Sequence, residues 1–157
     1  MKLSGEINVT LDDKYRITLP AQFRKEMDVT TVVVTKGGEK CIWLSTEAKW
    51  DKEYGNYVTE LTDAFSLKDR MLRRKYLAPK QDVSIDSAGR ILLPESLRKH
   101  AMIEKECVVI GLGDYLEIWN TQRYNDFCSG ILTDAADEID EASEELSQRI
   151  KRIKGIL

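Results

Sequence analysis

The sequence predicts an α+β protein, mainly β. Two tandem β units form one pseudo-symmetric core, with a helical insert between them and a helix at the C-terminus. Three observations carry this prediction. Residues 9–24, VTLDDKYRITLPAQFR, recur at an offset of 74 as VSIDSAGRILLPESLR at residues 83–98. Inside each copy, apolar and polar residues alternate at the period of a strand and then give way to a short helical run. The 157 residues are 42% hydrophobic and 32% charged, the composition of a globular chain rather than a disordered one.

Each unit reads as strand, tight turn, strand, short helix, strand, strand. In the first, Ile7, Val9 and Leu11 alternate with polar residues, and Ile17 and Leu19 resume the alternation after the turn. In the second, Asp86-Ser87-Ala88-Gly89 is turn chemistry: Asp suits the first position and Gly89 tolerates positive φ. Pro20 and Pro94 end the second strand and pre-set φ for a helix, over Ala21–Met27 and Glu95–Ala101. After a two-residue insertion the likeness resumes, Val32–Val34 matching Val108–Ile110 and Ile42-Trp43 matching Ile118-Trp119. These closing strands surround turns at Gly37-Gly38 and Gly113-Asp114. A unit of about 45 residues buries little surface and leaves strand edges open, so two copies in one chain are expected to share a core.

The organisation that follows is a first unit at 5–47, a helical insert at 48–80, a second unit at 81–124 and a helical tail at 125–157. Within 46–60, Trp50, Tyr54 and Tyr57, with Leu61 beyond, recur near helical spacing. Leu67–Leu77 follows as a helix with Lys68, Arg70, Arg73, Arg74 and Lys75 against a single acid, Asp69. Its charge suits a solvated face, a phosphate-facing surface or a subunit contact. From Asp134 to Lys154 acids come first and bases last, matching the helix dipole, and Ile139, Leu146, Ile150 and Ile153 form a narrow apolar stripe.

Composition excludes several classes. Apolar runs are only a few residues long, far below the roughly 20 needed to span a bilayer, and the N-terminus turns polar too early for a signal peptide. A cytoplasmic, nucleoid-associated protein with no membrane partner is expected. The net charge of −3 lies in residues 131–157, which hold seven acids and four bases, so any DNA-binding surface is a local patch on a balanced body. Cys41, Cys107 and Cys128 are scattered and His100 is the single histidine, without the paired spacing of a zinc site, so no metal is expected. Cys41 and Cys107 read as small buried hydrophobes. The chain has no Gly-rich loop before a helix, no histidine pair and no Gly-x-Ser-x-Gly, so neither an enzyme, a cofactor nor a small-molecule substrate is expected.

What recurs outside the hydrophobic framework is Asp-x-x-x-Arg, then Pro four residues on, then Arg-Lys. Asp12 and Asp86 suit the start of each turn and a pair with their own arginines, Arg16 and Arg90. Those arginines have opposite parity to Ile17, Leu19, Ile91 and Leu93, and so face outward. A two-stranded ribbon fits a DNA major groove, and arginine forks to guanine.

The blocks DDKYRITLP and DSAGRILLP, with MLRRKYLAP between them, resemble the paired signatures of the MraZ family over about residues 5–124. The resemblance implies tandem SpoVT-AbrB-type swapped-hairpin units in a bacterial, sequence-specific DNA-binding transcriptional regulator. Such a protein acts on double-stranded promoter repeats of its own division and cell-wall gene cluster and assembles as a ring-like homo-oligomer. By position the family's DNA contact falls on Arg16, with Lys14 beside it, and on Arg90 as its counterpart in the second unit; Tyr15 is a separate candidate, as a side chain stacking on sugar or base. Asp12, Asp86 and Gly89 support the turns, and Arg24, Arg73, Arg74 and Arg98 are available to phosphate or a neighbouring subunit. Tyr15 departs from the family's glycine, which Gly89 keeps; positive φ strains a tyrosine by about 1 kcal/mol. The alternative is an AbrB-like antitoxin module that binds a partner protein through the C-terminal tail.

Overall fold

A computed structural model describes residues 1–130 and 135–155 of the chain. It divides into two compact units, Met1–Thr121 and Gln122–Leu157. The first holds strands β1 (Leu3–Thr10), β2 (Arg16–Thr18), β3 (Thr31–Lys36), β4 (Ile42–Ser45), β5 (Gln81–Ser84), β6 (Arg90–Leu92), β7 (Glu106–Gly113) and β8 (Leu116–Asn120). Its helices are α1 (Ala21–Met27), α2 (Glu47–Trp50), α3 (Asn56–Glu60), α4 (Leu67–Tyr76) and α5 (Glu95–Ala101); α6 (Thr121–Cys128) and α7 (Ala135–Ile153) follow.

Six strands form one antiparallel sheet in the order β1-β7-β8-β4-β3-β5, and β2 pairs with β6 in a separate two-stranded ribbon. Under the sequence repeat β1 maps to β5, β3 to β7 and β4 to β8, so the order is palindromic about the β4–β8 seam. The two sequence repeats exchange strands: β1 of the first repeat lies on β7 of the second, and β5 of the second lies on β3 of the first. The strand–turn–strand reading within each unit holds only at the turn, where the amide of Asp12 bonds the Arg16 carbonyl at 2.9 Å and that of Asp86 bonds the Arg90 carbonyl at 2.9 Å. Beyond those turns the strands take partners from the other unit. The apolar residues explain why: Ile7 and Val9 of β1, with Leu11 just beyond it, pack on the shared core from one sheet, whereas Ile17 of β2, with Leu19 just beyond it, enters it from the ribbon.

The core is made of matching pairs, Ile17 with Ile91, Leu19 with Leu93, Phe23 with Leu97 and Met27 with Ala101, all buried. Phe23 is 1% exposed, and truncating such a side chain costs about 3–5 kcal/mol. Helices α1 and α5 start at Pro20 and Pro94, whose carbonyls accept the amides of Phe23 and Arg24 and of Leu97 and Arg98. Each stops at a non-glycine residue in the left-handed region, Asp28 at φ 49° and Met102 at φ 53°.

The expected helix at 46–60 is three pieces: α2, a wide π turn at Asp51–Gly55, and α3. Thr46 caps α2 by accepting the Lys49 amide at 3.2 Å. In α4, Ser66 accepts the Asp69 amide at 3.3 Å. The expected C-terminal helix matches α7; its predicted start, Asp134, lies outside the described residues, and Ile139, Leu146, Ile150 and Ile153 of the apolar stripe are exposed. Among the described residues, no helix is long and apolar enough to cross a membrane.

Candidate nucleic-acid interface

The two Asp-x-x-x-Arg turns are built alike, atom for atom. At the first, Asp12 Oδ1 accepts the amides of Lys14 and Arg16, each at 2.9 Å, and Oδ2 accepts Arg16 Nε at 2.9 Å. At the second, Asp86 Oδ1 accepts the amides of Ala88 at 2.9 Å and Arg90 at 2.8 Å, and Oδ2 accepts Arg90 Nε at 2.8 Å. Amide donation from Arg16 and Arg90 holds these carboxyls below the usual aspartate range, and the guanidinium pairs add to it. Each Asp thus fixes the Nε of its arginine, and Nη1 and Nη2 take no part in these bonds.

The ribbon places the arginines side by side. Arg16 pairs with Leu92, Ile17 with Ile91 and Thr18 with Arg90. Because Ile17 and Ile91 are buried, period-two alternation puts Arg16, Thr18, Arg90 and Leu92 on the opposite, outer face. Arg16 and Arg90 are partly exposed, with side-chain exposures of 26% and 37%. Lys14 is exposed at the first tip.

Each tip is covered by an arginine from the other unit's partner helix, and this explains Tyr15. Arg24 Nε donates to the Leu19 carbonyl at 2.9 Å, and Arg98 Nε donates to the Leu93 carbonyl at 2.8 Å. The Arg24 guanidinium lies against Gly89, where an added Cβ would come within 2.5 Å of Arg24 Cζ. At the other tip Tyr15 adopts φ 60°, and Arg98 Cζ sits 3.7 Å from its ring centroid. The backbone is the same left-handed turn at both tips (Gly89 has φ 80°), but one guanidinium fills the space a side chain would need and the other stacks on one. Main-chain bonds from Leu19 to the Gly89 carbonyl at 2.8 Å and from Leu93 to the Tyr15 carbonyl at 2.9 Å tie the tips together.

The insert arginines are carried by α4. Arg73 donates from Nε to Thr62 Oγ1 at 2.7 Å and from Nη2 to the carbonyl of Thr62 at 2.9 Å, fastening α4 to the end of α3. Arg74 is exposed.

Sequence reasoning missed Glu117. Buried on β8, it accepts Trp43 Nε1 on Oε2 and Trp119 Nε1 on Oε1, each at 2.9 Å, clamping two repeat-related indoles across the seam. Glu39, Cys41 and Glu117 bring ligand-type atoms within 4.8 Å of one another. Both Glu117 oxygens are committed to the indoles, however, and burial pushes the Cys41 thiol far above its ordinary range. Cys107 is pushed up to about 11 by the same cause. Both are buried, as expected for small core residues.

Fold and site define a class: a β-rich protein of two interleaved repeats that presents paired, carboxylate-oriented arginines on an outer ribbon. The family model described as "MraZ protein, putative antitoxin-like" matches residues 3–75 and 76–149. The chain belongs to the MraZ family. It is 34% identical to the transcriptional regulator MraZ of Treponema denticola over 146 residues, covering 93% of this chain and 98% of that one. To the Mesoplasma florum protein of the same name it is 33% identical over 152 residues, covering 97% and 100%. To that of Treponema pallidum strain Nichols it is 36% identical over 121 residues, covering 77% and 80%.

Proposed function

We propose that the chain is a sequence-specific DNA-binding transcriptional regulator and that the β2–β6 ribbon is its reading surface. The observation that carries this reading is the pair Arg16 and Arg90, each oriented by its own aspartate on one outward face. A ribbon of two strands fits the major groove, about 12 Å wide, where an arginine forks to guanine O6 and N7. The name shared by the relatives, transcriptional regulator MraZ, supports it. Lys14 and Tyr15 flank Arg16 at the groove; Asp12, Asp86 and Gly89 hold the turns. Arg24 and Arg98 lend positive charge beside the tips, and Arg73 and Arg74 serve phosphate or subunit contacts further out.

One chain carries one ribbon, so tight binding calls for several chains on repeated sites. The targets are promoter repeats of the chain's own division and cell-wall gene cluster, bound by a ring-like homo-oligomer in the cytoplasm at the nucleoid. The test is Arg16→Ala on promoter DNA from upstream of its own gene. The variant is expected to lose about 1–3 kcal/mol per contact and to relax specificity at one base position. If it stays folded and assembled yet binds as tightly as the wild type, the ribbon is not the reading surface.

A second reading, an antitoxin-like module that holds a partner protein through its C-terminal tail, is favoured by the family description and the exposed apolar stripe of α7. A small stoichiometric partner released by Leu146→Asp would support it; a homogeneous self-assembly supports the regulator.

A further inference from the structure

Between the β3–β4 turn and α4 lies a cavity of about 340 Å³. Its wall is aromatic. Tyr54 stacks on Tyr76 with ring centroids 5.9 Å apart and an interplanar angle of 15°, and it tilts against Trp50 at 5.3 Å. Trp43 closes the other side, braced edge-on by Tyr115 at 5.6 Å. Gly37 lets the turn lie close to that indole, since a Cβ there would come within 3.1 Å of Trp43 Cδ1 and within 2.3 Å of Cys41 Sγ. A second recess of about 100 Å³ opens on the same Trp43, Trp50 and Tyr54 surface.

The rim carries one sign of charge. Lys36, Arg74 and Lys75 line the larger cavity with His100, and among the described residues no Asp or Glu lines it, although the chain as a whole is acidic. Lys49, which lines the smaller recess, is by contrast paired with Glu53 and Asp114. Lys75 Nζ lies over the Tyr76 ring, 5.4 Å from its centroid, whereas Lys36 and Arg74 have no acidic partner in the lining among the described residues. In the second unit the counterpart of Trp43, Trp119, is buried at 2% exposure.

We propose that this cavity binds a planar aromatic ring bearing an anionic group, of mononucleotide size. The volume lies at the lower end of small-molecule sites, about 300–1,000 Å³. Stacking against Trp43 and Tyr54 holds the ring, and Arg74 with Lys36 holds the anion, arginine being suited to phosphate or carboxylate.

The test is calorimetric titration of the full-length protein with adenosine 5′-monophosphate, adenosine, inorganic phosphate and indole-3-carboxylate at fixed ionic strength. Saturable binding of the monophosphate or the indole carboxylate is expected, and the tighter of the two identifies the source of the anion. Adenosine and phosphate alone are expected to bind more weakly by about tenfold or more, since each loses one half of the site. Arg74→Glu, an exposed substitution, should weaken the aromatic anion by at least about tenfold. Lys105→Glu makes the same charge change on a loop outside the cavity and should leave binding unchanged. Tyr54→Ala tests the stacking wall. No saturable binding of either aromatic anion, equal binding of adenosine and its monophosphate, or indifference to Arg74→Glu overturns the proposal.

Discussion

Tyr15 and Gly89 occupy equivalent positions, and the difference between them lies in what covers them. At Gly89 φ disfavours a side chain and the space excludes one; at Tyr15 φ alone disfavours it, and the contact with Arg98 offsets part of the strain. Left-handed backbone costs a non-glycine residue about 1–2 kcal/mol, and a partly exposed cation–π contact returns about 0.5–1 kcal/mol. Tyr15→Ala keeps the strain and loses the contact, so it should destabilise by about 0.5–1 kcal/mol. Tyr15→Gly loses the contact but relieves the strain, and should be close to neutral. Urea melts of the two variants check the order; equal stabilities would mean that the left-handed turn carries no strain. The sequence showed that Tyr15 broke the repeat. It did not show why, because the compensating residue, Arg98, is distant along the chain and belongs to the other unit.

The elements most legible in the sequence were those specified locally. Pro20 and Pro94, each followed by an apolar spacing of four residues, mark α1 and α5 at their observed limits. Strand pairing was harder to read, since alternation shows which face of β2 is buried but not that its ladder partner is β6 rather than β1. Asp28 and Met102 end their helices without the usual glycine, and Glu117 gives no signal in a run that otherwise reads as a strand. The outward parity of Arg16 and Arg90 was legible because it depends on alternation alone. The turns themselves make a pH prediction. Asp12 and Asp86 are held below the ordinary aspartate value of 3.8 in the folded chain. A carboxyl depressed on folding stabilises fully above its unfolded pKa, and that contribution is lost as pH falls through the folded value. Melting temperature should therefore be insensitive to these two groups above about pH 5 and fall below pH 3.8, the ordinary value. The Asp12→Asn/Asp86→Asn protein should show a shallower acid decline, with the remainder left to Glu95 and Asp114, which are also depressed. An identical decline in both proteins would show that the turn carboxylates are not what acid removes.

For the whole molecule, the decisive fact is where the hydrogen-bonded ladders run. Of the six strand pairings, β1–β7, β3–β5, β4–β8 and β2–β6 join one unit to the other, and only β3–β4 and β7–β8 stay within a unit. A separated first unit would expose both long edges of its β3–β4 hairpin and leave β1 and β2 unpaired. It would also uncover Ile17, Leu19 and Phe23, whose contacts include Ile91, Leu93 and Leu97 in one core cluster. Two strands on their own are marginal at best in water. Residues 1–75 and 76–157 expressed apart should thus each lack a cooperative melting transition. Mixed in equal amounts, they should regain one, because no ladder between the units depends on the covalent link. Circular dichroism melts of each piece and of the mixture measure this directly. A sharp transition in either piece alone would mean that a unit can close its own sheet, and the exchange of strands would then be an arrangement of two finished domains rather than the basis of the fold.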